Sequence, residues 1–200
     1  MYAFSLLYIR LSFSYTEFIF RCYVRRYFYG SNQALLTRRS ICKYTSAPIS
    51  DETVETLLRA AMAAPSAVNT QDWEFIVLRD RTTLDAVAEK LGGSGNMLHE
   101  AAAAVVICGN LDLAYEKVPG YWVEDCSAAT ENLLIAAHAL GLGAVWLGTY
   151  PQPNKTDGIR KLFSLLEQIV PFCVVSLGYP AEEKAPADRY CAAKVHFEKW

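Results

Sequence analysis

Apolar positions along the chain follow two periods, and the places where the period changes mark its elements. After Ser50, the residues Val54, Leu57, Leu58, Ala61 and Met62 recur at helical spacing, which predicts a helix with one buried face. Ser50 is placed to cap it, Asp51 and Glu52 suit the positive end of its dipole, and Pro65 stops it. A shorter helix is predicted upstream, capped by Ser31 and running through Thr37 to the basic pair Arg38-Arg39. Residues 82–91 and 157–168 read as further helices. The clearest helix covers 125–140, with Ala129, Leu133, Ala136, Ala137 and Leu140 on its inner face and Gly141 as its stop. Four short apolar runs read as strands, at residues 75–78, 103–108, 145–147 and 172–177. Helices and strands alternate without strict pairing. The pattern alone leaves an α+β layered fold and a doubly wound sheet both open.

Composition narrows this picture. The chain has 200 residues with no internal repeat or linker-like run, which predicts one folded domain at 31–200 and an N-terminal appendage at 1–30. A hydrophobic fraction of 52% is enough for a real core. A formal net charge of -2, with no stripe of Lys and Arg, argues against a nucleic-acid partner. The six cysteines form no C-x-x-C pair, and no Cys/His spacing suggests zinc, so no metal site is expected. Cys108 and Cys173 lie in apolar runs, as reduced cysteines do in a cytoplasmic protein. The sequon Asn154-Lys155-Thr156 is read as a chance match.

Residues 1–30 differ from the rest. They are crowded with Phe and Tyr and hold a single acid, Glu17. Arg10, Glu17 and Arg21 interrupt the apolar run, which argues against a spanning helix of ~20 residues. The late basic residues and the lack of an A-x-A-like site argue against a signal peptide. A short interfacial helix is the form a membrane contact would take. The plainer reading is a segment that contributes little to function, although the next Met is as far on as Met62.

Three clusters carry candidate chemistry, each with an ordinary explanation beside it. Arg38-Arg39-Ser40 can grip a phosphate monoester, or can simply be a solvated helix end whose charge suits the dipole. The run Ala64-Pro65-Ser66-Ala67-Val68-Asn69-Thr70-Gln71-Asp72-Trp73 concentrates a hydroxyl and two carboxamides. Amides read the alternating donors and acceptors of a planar heterocycle, but polar loops of this kind are also common. Gly141-Leu142-Gly143 precedes a strand instead of following one, which excludes a Rossmann phosphate loop. Gly148 ends a strand, where a missing side chain lets backbone approach a ligand. The isolated His99, His138 and His196 have no hydrolase partners.

In order and spacing these clusters resemble the FMN-dependent nitroreductase family, and the likeness covers residues 31–200. The resemblance implies an α+β fold: a mixed sheet flanked by helices, in a homodimer with C-terminal exchange. It implies FMN as cofactor, with NADH or NADPH as electron donor. Reduction of nitroaromatic, quinone or similar small acceptors would follow a ping-pong course with no catalytic side chain, the flavin carrying the chemistry. By position, Arg38 and Arg39 would approach the FMN phosphate and Ser40 the flavin or its phosphate arm. Pro65, Ser66, Ala67, Asn69 and Gln71 would line the ribityl chain and ring edge, partly from the second subunit. Leu147 and Gly148 would offer a backbone N–H, and Arg189, with Lys184 behind it, a second phosphate-side cation. Asn96 falls where family members contact the pyrimidine, and Tyr121 and Trp122 where the substrate pocket would be. Two positions depart from the family: Cys42 stands where Arg or Lys is usual, and Asp72 where Pro is common. Rival readings are a reductive dehalogenase or flavin-fragmenting synthase on the same scaffold, and a non-enzymatic flavin sensor.

Overall fold

A central antiparallel sheet between two helical layers organises the chain, in a computed structural model that describes residues 30–117 and 120–200. The strands are β1 (Trp73–Leu78), β2 (Ala103–Asn110), β3 (Gly143–Gly148) and β4 (Ile169–Gly178), in the order β1-β2-β4-β3. A parallel bridge between Ser40 and Ala144 extends the β3 edge and gives the sheet its mixed character. The helices are α1 (Gly30–Thr37), α2 (Asp51–Met62), α3 (Arg81–Leu91), α4 (Tyr121–Ala139) and α5 (Pro153–Phe163). This is the α+β alternative left open by the pattern.

β2 and β4 have helices over both faces, which is why they read as continuous apolar runs without alternation. Ala103, Val105 and Ile107 join Val175 and Leu177 in the core with Leu57 of α2 and Leu133 of α4. Ala104, Val106 and Cys108 face the other way, onto Leu84 and Val87 of α3 and Ile159 of α5. Pro171 has no N–H for the ladder, and the register slips between Ile107 and Cys108 so that Phe172 bulges. Its carbonyl accepts from Thr149 N–H at 3.3 Å and Tyr150 N–H at 2.9 Å. This fixes the exit of the chain from β3.

Local signals explain most boundaries. Ser50 accepts the Thr53 N–H at 3.2 Å, the expected cap. Gly141 (φ 79) closes α4 in a Schellman motif, with Gly141 N–H on His138 O and Leu142 N–H on Ala137 O. Four expectations fail. α1 already includes Gly30, so Ser31 lies inside its first turn and is not its cap. The predicted helix 157–168 runs instead from Pro153 to Phe163, because Pro suits a first helical turn and Ser164 turns left-handed (φ 51). Met62 and Leu140, assigned to buried faces, are 51% and 46% exposed, each at the C-terminal end of its helix. α4 also begins four residues early, at Tyr121. Apart from Gly30, the appendage at 1–30 lies outside the described residues. No described helix is long and apolar enough to cross a membrane.

Candidate functional site

The first cluster is held against the β3 edge. Ile41 N–H donates to Ala144 O at 3.0 Å, and the Tyr44 hydroxyl ties the stretch to Ile41 O and to the Ser176 hydroxyl, both at 2.7 Å. Arg38 and Arg39 are therefore partly buried at the end of α1, not freely solvated. Arg38 Nε lies 3.2 Å from Glu131 of α4. Arg39 Nε donates to Ala185 O at 2.9 Å, whereas its Nη2 is shielded from solvent with no partner. Nearby, His138 Nε2 meets the Thr37 hydroxyl at 2.8 Å. Burial, followed by the Arg38 and Arg39 charges, lowers its pKa and favours neutral imidazole.

Arg39 separates two concave spaces. One, of roughly 330 Å³, is lined by Thr37, His138, Leu142, Glu182 and Lys184 among others. The other, of roughly 480 Å³, is bounded by Leu35, Leu36 and the segment from Pro186 to Tyr190, and so places Arg189 on the same concavity as Arg39. Lys184 Nζ donates to Ser40 O at 2.7 Å and sits 3.0 Å from Glu182. Glu182 in turn accepts the Cys42 N–H at 2.6 Å. The structure thus brings Arg39, Ser40, Lys184 and Arg189 into one neighbourhood.

The second cluster is shaped by strain. Val68 (φ 44), Asn69 (φ 61) and Gln71 (φ 51) are all left-handed, costing of order 1 kcal/mol each and most for the branched Val68. Ser66 Oγ accepts Gln71 N–H at 2.9 Å and the Gln71 amide donates to Asn69 at 3.1 Å. Asn69 and Gln71 are exposed and Pro65 stands at the loop's entrance, also exposed. Asp125 Oδ1 accepts the Ala67 N–H at 3.0 Å and moors the loop to α4. Asp125 at the head of a helix reads in sequence only as a dipole-friendly acid. Nothing in the spacing shows that it reaches Ala67.

α4 carries both clusters but on different sides. Asp125 and Glu131 are six residues apart, about 9 Å along the helix and about 120° around it. One chain does not present the arginines and the amide loop on a common face.

The remaining predicted residues divide. Gly148 is exposed at the end of β3, with open space where a Cβ would stand. Leu147 beside it is buried, so only its backbone is available to a ligand. Past Ala144, β3 is an outer strand among the described residues, and alternate N–H groups point away from β4. Tyr121 is 37% exposed and sits edge-on to Tyr115. Trp122, expected in the pocket, is buried. It is 3% exposed and lies edge-on to Tyr150 (4.8 Å) and Phe172 (6.0 Å). It also covers Gly109, where any Cβ would collide with the indole. On this helix face the indole points to the sheet, and its neighbour points out. Asn96 is exposed in the 3-10 segment Gly92–His99, whose Ser94 is tied to Lys155 of α5, apart from the contacts above.

Comparison with known proteins gives the family. The nitroreductase family model matches residues 35–108 and 88–179. A candidate NADH dehydrogenase/NAD(P)H nitroreductase of Methanothermobacter thermautotrophicus is 46% identical over 168 residues, covering 84% of this chain and 86% of its own. The chain belongs to the nitroreductase family. An FMN-dependent nitroreductase structure from Clostridium difficile superposes with a TM-score of 0.77 at 31% identity, covering 84% of this chain and 98% of its own. A Bacillus subtilis FMN reductase [NAD(P)H] is 25% identical over 183 residues, covering 84% of this chain and 72% of its own.

Proposed function

We propose that the chain uses NADH or NADPH to reduce nitroaromatic, quinone or similar small acceptors in a ping-pong cycle, as a homodimer whose sites draw on both subunits. It is an FMN-dependent NAD(P)H oxidoreductase of the nitroreductase family. The observation that carries the reading is the shielded, unpartnered Nη2 of Arg39, a residue that lines the same concavity as Arg189. A buried guanidinium nitrogen without an acceptor is costly, and a phosphate oxygen would satisfy it. The residues present therefore fit FMN.

When bound, FMN would supply two-electron redox chemistry between a reduced nicotinamide and the acceptor. The chain supplies position and charge. Arg39 and Arg189 hold the phosphate, with Arg38 beside them, its charge shared with Glu131. Lys184, bonded to Ser40 O, stands near Cys42 with its charge shared with Glu182. Leu147 and Gly148 offer outer-strand backbone to the ring, and the open space at Gly148 admits a close approach. Pro65, Ser66, Ala67, Asn69 and Gln71 reach the ribityl chain and ring edge of the partner's site, consistent with their place on another side of α4. Tyr121 lines the acceptor pocket and Trp122 supports it from beneath. The dimer is supported by residues 179–200, which are almost wholly exposed and include Tyr190 at 78% and Phe197 at 84%. A tail so apolar and so bare fits exchange onto a second copy.

The test is the visible spectrum of the purified protein, followed by NADH and NADPH oxidation with a quinone and a nitroaromatic. A yellow protein that turns over either acceptor, with parallel double-reciprocal plots, is expected. A colourless protein that added FMN does not restore would overturn the reading. A cytoplasmic site of action and a minor role for residues 1–30 belong to the same proposal. A chain lacking residues 1–29 should keep its FMN.

A further inference from the structure

The smaller concavity beside Arg39 holds a histidine with no part in the function above. Thr37 and His138 both line it. The Thr37 hydroxyl stands 2.6 Å from the Gln33 carbonyl and 2.8 Å from His138 Nε2. A carbonyl only accepts, and two oxygens come this close only with a hydrogen between them. The single hydroxyl hydrogen of Thr37 therefore goes to Gln33. Thr37 has only lone pairs left for the ring, so Nε2 carries the hydrogen of the second bond. In the neutral ring Nδ1 is then the bare nitrogen, an acceptor. Among the described residues no donor reaches Nδ1, and the atom is not shielded from solvent. The charges around the ring are mostly paired. Glu131, two turns earlier on α4, holds Arg38 at 3.2 Å. Lys184 and Glu182 of the C-terminal segment hold each other at 3.0 Å, and Glu183 beside them is exposed. Arg39 has no acidic partner among the described residues.

A bare ring nitrogen and an unpaired guanidinium on one concavity make a site that can gain a proton once an anion offsets the guanidinium. We propose that His138 takes up a proton at Nδ1 when the cofactor phosphate settles on Arg39, which makes His138 a positioning residue for FMN. The inference rests on the reading that Arg39 holds that phosphate. The step balances: a dianionic phosphate and one proton from solvent enter, and an Nδ1–H bond forms. Nε2–H stays on Thr37, so the bonds that tie the ring to the end of α1 need no rearrangement. Burial, followed by the charges of Arg38 and Arg39, holds the ring below the ordinary histidine value in the free chain. A bound phosphate offsets those charges. By reciprocity, the protonated ring strengthens FMN binding by the same factor by which FMN strengthens the ring's hold on its proton.

The experiment has two readouts on the flavin-free full chain. Nitrogen-15 NMR, assigned by substituting His99 and His196, reports the state of the His138 ring with and without FMN. Calorimetry of FMN binding in two buffers of different ionisation enthalpy counts protons taken up. The free chain should show the Nε2–H tautomer, and FMN should move the ring toward imidazolium. Binding should take up protons in the wild type, but not in His138→Gln, whose amide can still donate to Thr37 and cannot titrate. Riboflavin, which lacks the phosphate, should cause no uptake. Titration of the phosphate itself gives the opposite sign, since cations drive its proton off. Between pH 8 and pH 6 the ratio of variant to wild-type dissociation constants should rise about tenfold. A merely structural role would weaken the variant equally at every pH. An Nδ1–H tautomer in the free chain, or equal uptake with FMN and riboflavin, overturns the proposal without recourse to the variant. Failure to bind FMN sinks the flavin reading, and inorganic phosphate then decides whether the ring's proton still follows an anion.

Discussion

The 38–40 cluster and the 66–71 loop both anchor on α4, and they are held in different ways. The arginines lie against a strand edge, steered by carbonyls and by the half-exposed Glu131. Their capacity to bind comes from charge left over after folding. The loop has no net charge, and its shape comes from left-handed backbone held by one buried carboxylate. One half is a reserve of electrostatic attraction and the other a reserve of strain. Salt should weaken the first and leave the second, whereas loss of packing under α4 should damage the second and spare the first.

The largest break in this comparison comes from Trp122→Ala. Emptying the space among Gly109, Tyr150 and Phe172 should destabilise the fold by about 3–5 kcal/mol, read by chemical denaturation. At low denaturant the surviving protein should lose loop order before it loses phosphate binding. Arg39→Ala comes next. It should weaken FMN by about 1.5–3 kcal/mol, or ten- to a hundredfold, with Tm unchanged in the apoprotein. Arg39→Lys should recover only part of this, since an ammonium cannot replace the fork.

Asp72→Asn sharpens the contrast through pH. The Asp72 carboxyl moves from 3.8 to about 6 on folding, so the native state holds its proton more tightly than the unfolded chain does. The Asp72 contribution to stability is therefore greatest below about pH 4, falls as pH rises from about 4 to 6, and stays reduced above that. One pKa unit is about 1.4 kcal/mol, so the drop is on the order of 2–3 kcal/mol. Asp72→Asn should abolish this part of the slope and raise Tm at pH 8 relative to wild type. A wild-type slope in the variant would place the strain elsewhere. The smallest effect is expected from Val68→Asn. It relieves a branched residue of its left-handed conformation and should add about 1 kcal/mol of stability, visible as a small rise in Tm.

Much of the framework was legible because its signals are local. Ser50, Gly141 and the apolar runs of β2 and β4 each do in the structure what their chemistry suggested. Errors arose where a local signal was absent or ambiguous. Leu140 and Met62 keep the helical period, but nothing in that period says that the ends of their helices are left uncovered. Tyr121 and Trp122 are neighbours of like character, and only the packing of α4 over Gly109 separates an outward phenol from an inward indole. The candidate site was visible as three clusters. Their supports were not: Glu131, Asp125 and Glu182 lie 93, 58 and 140 residues from the groups they meet.

The sequence by itself determined the alternation of helices and strands, the caps at Ser50 and Gly141 and the family, because each depends on residue type at short spacing. The tertiary structure alone decided the antiparallel strand order, the two sides of α4 on which the clusters sit, and the burial of Asp72 beside Asp125. Those depend on which distant surfaces exclude water from one another, and that is a property of the packed chain, not of any stretch of it.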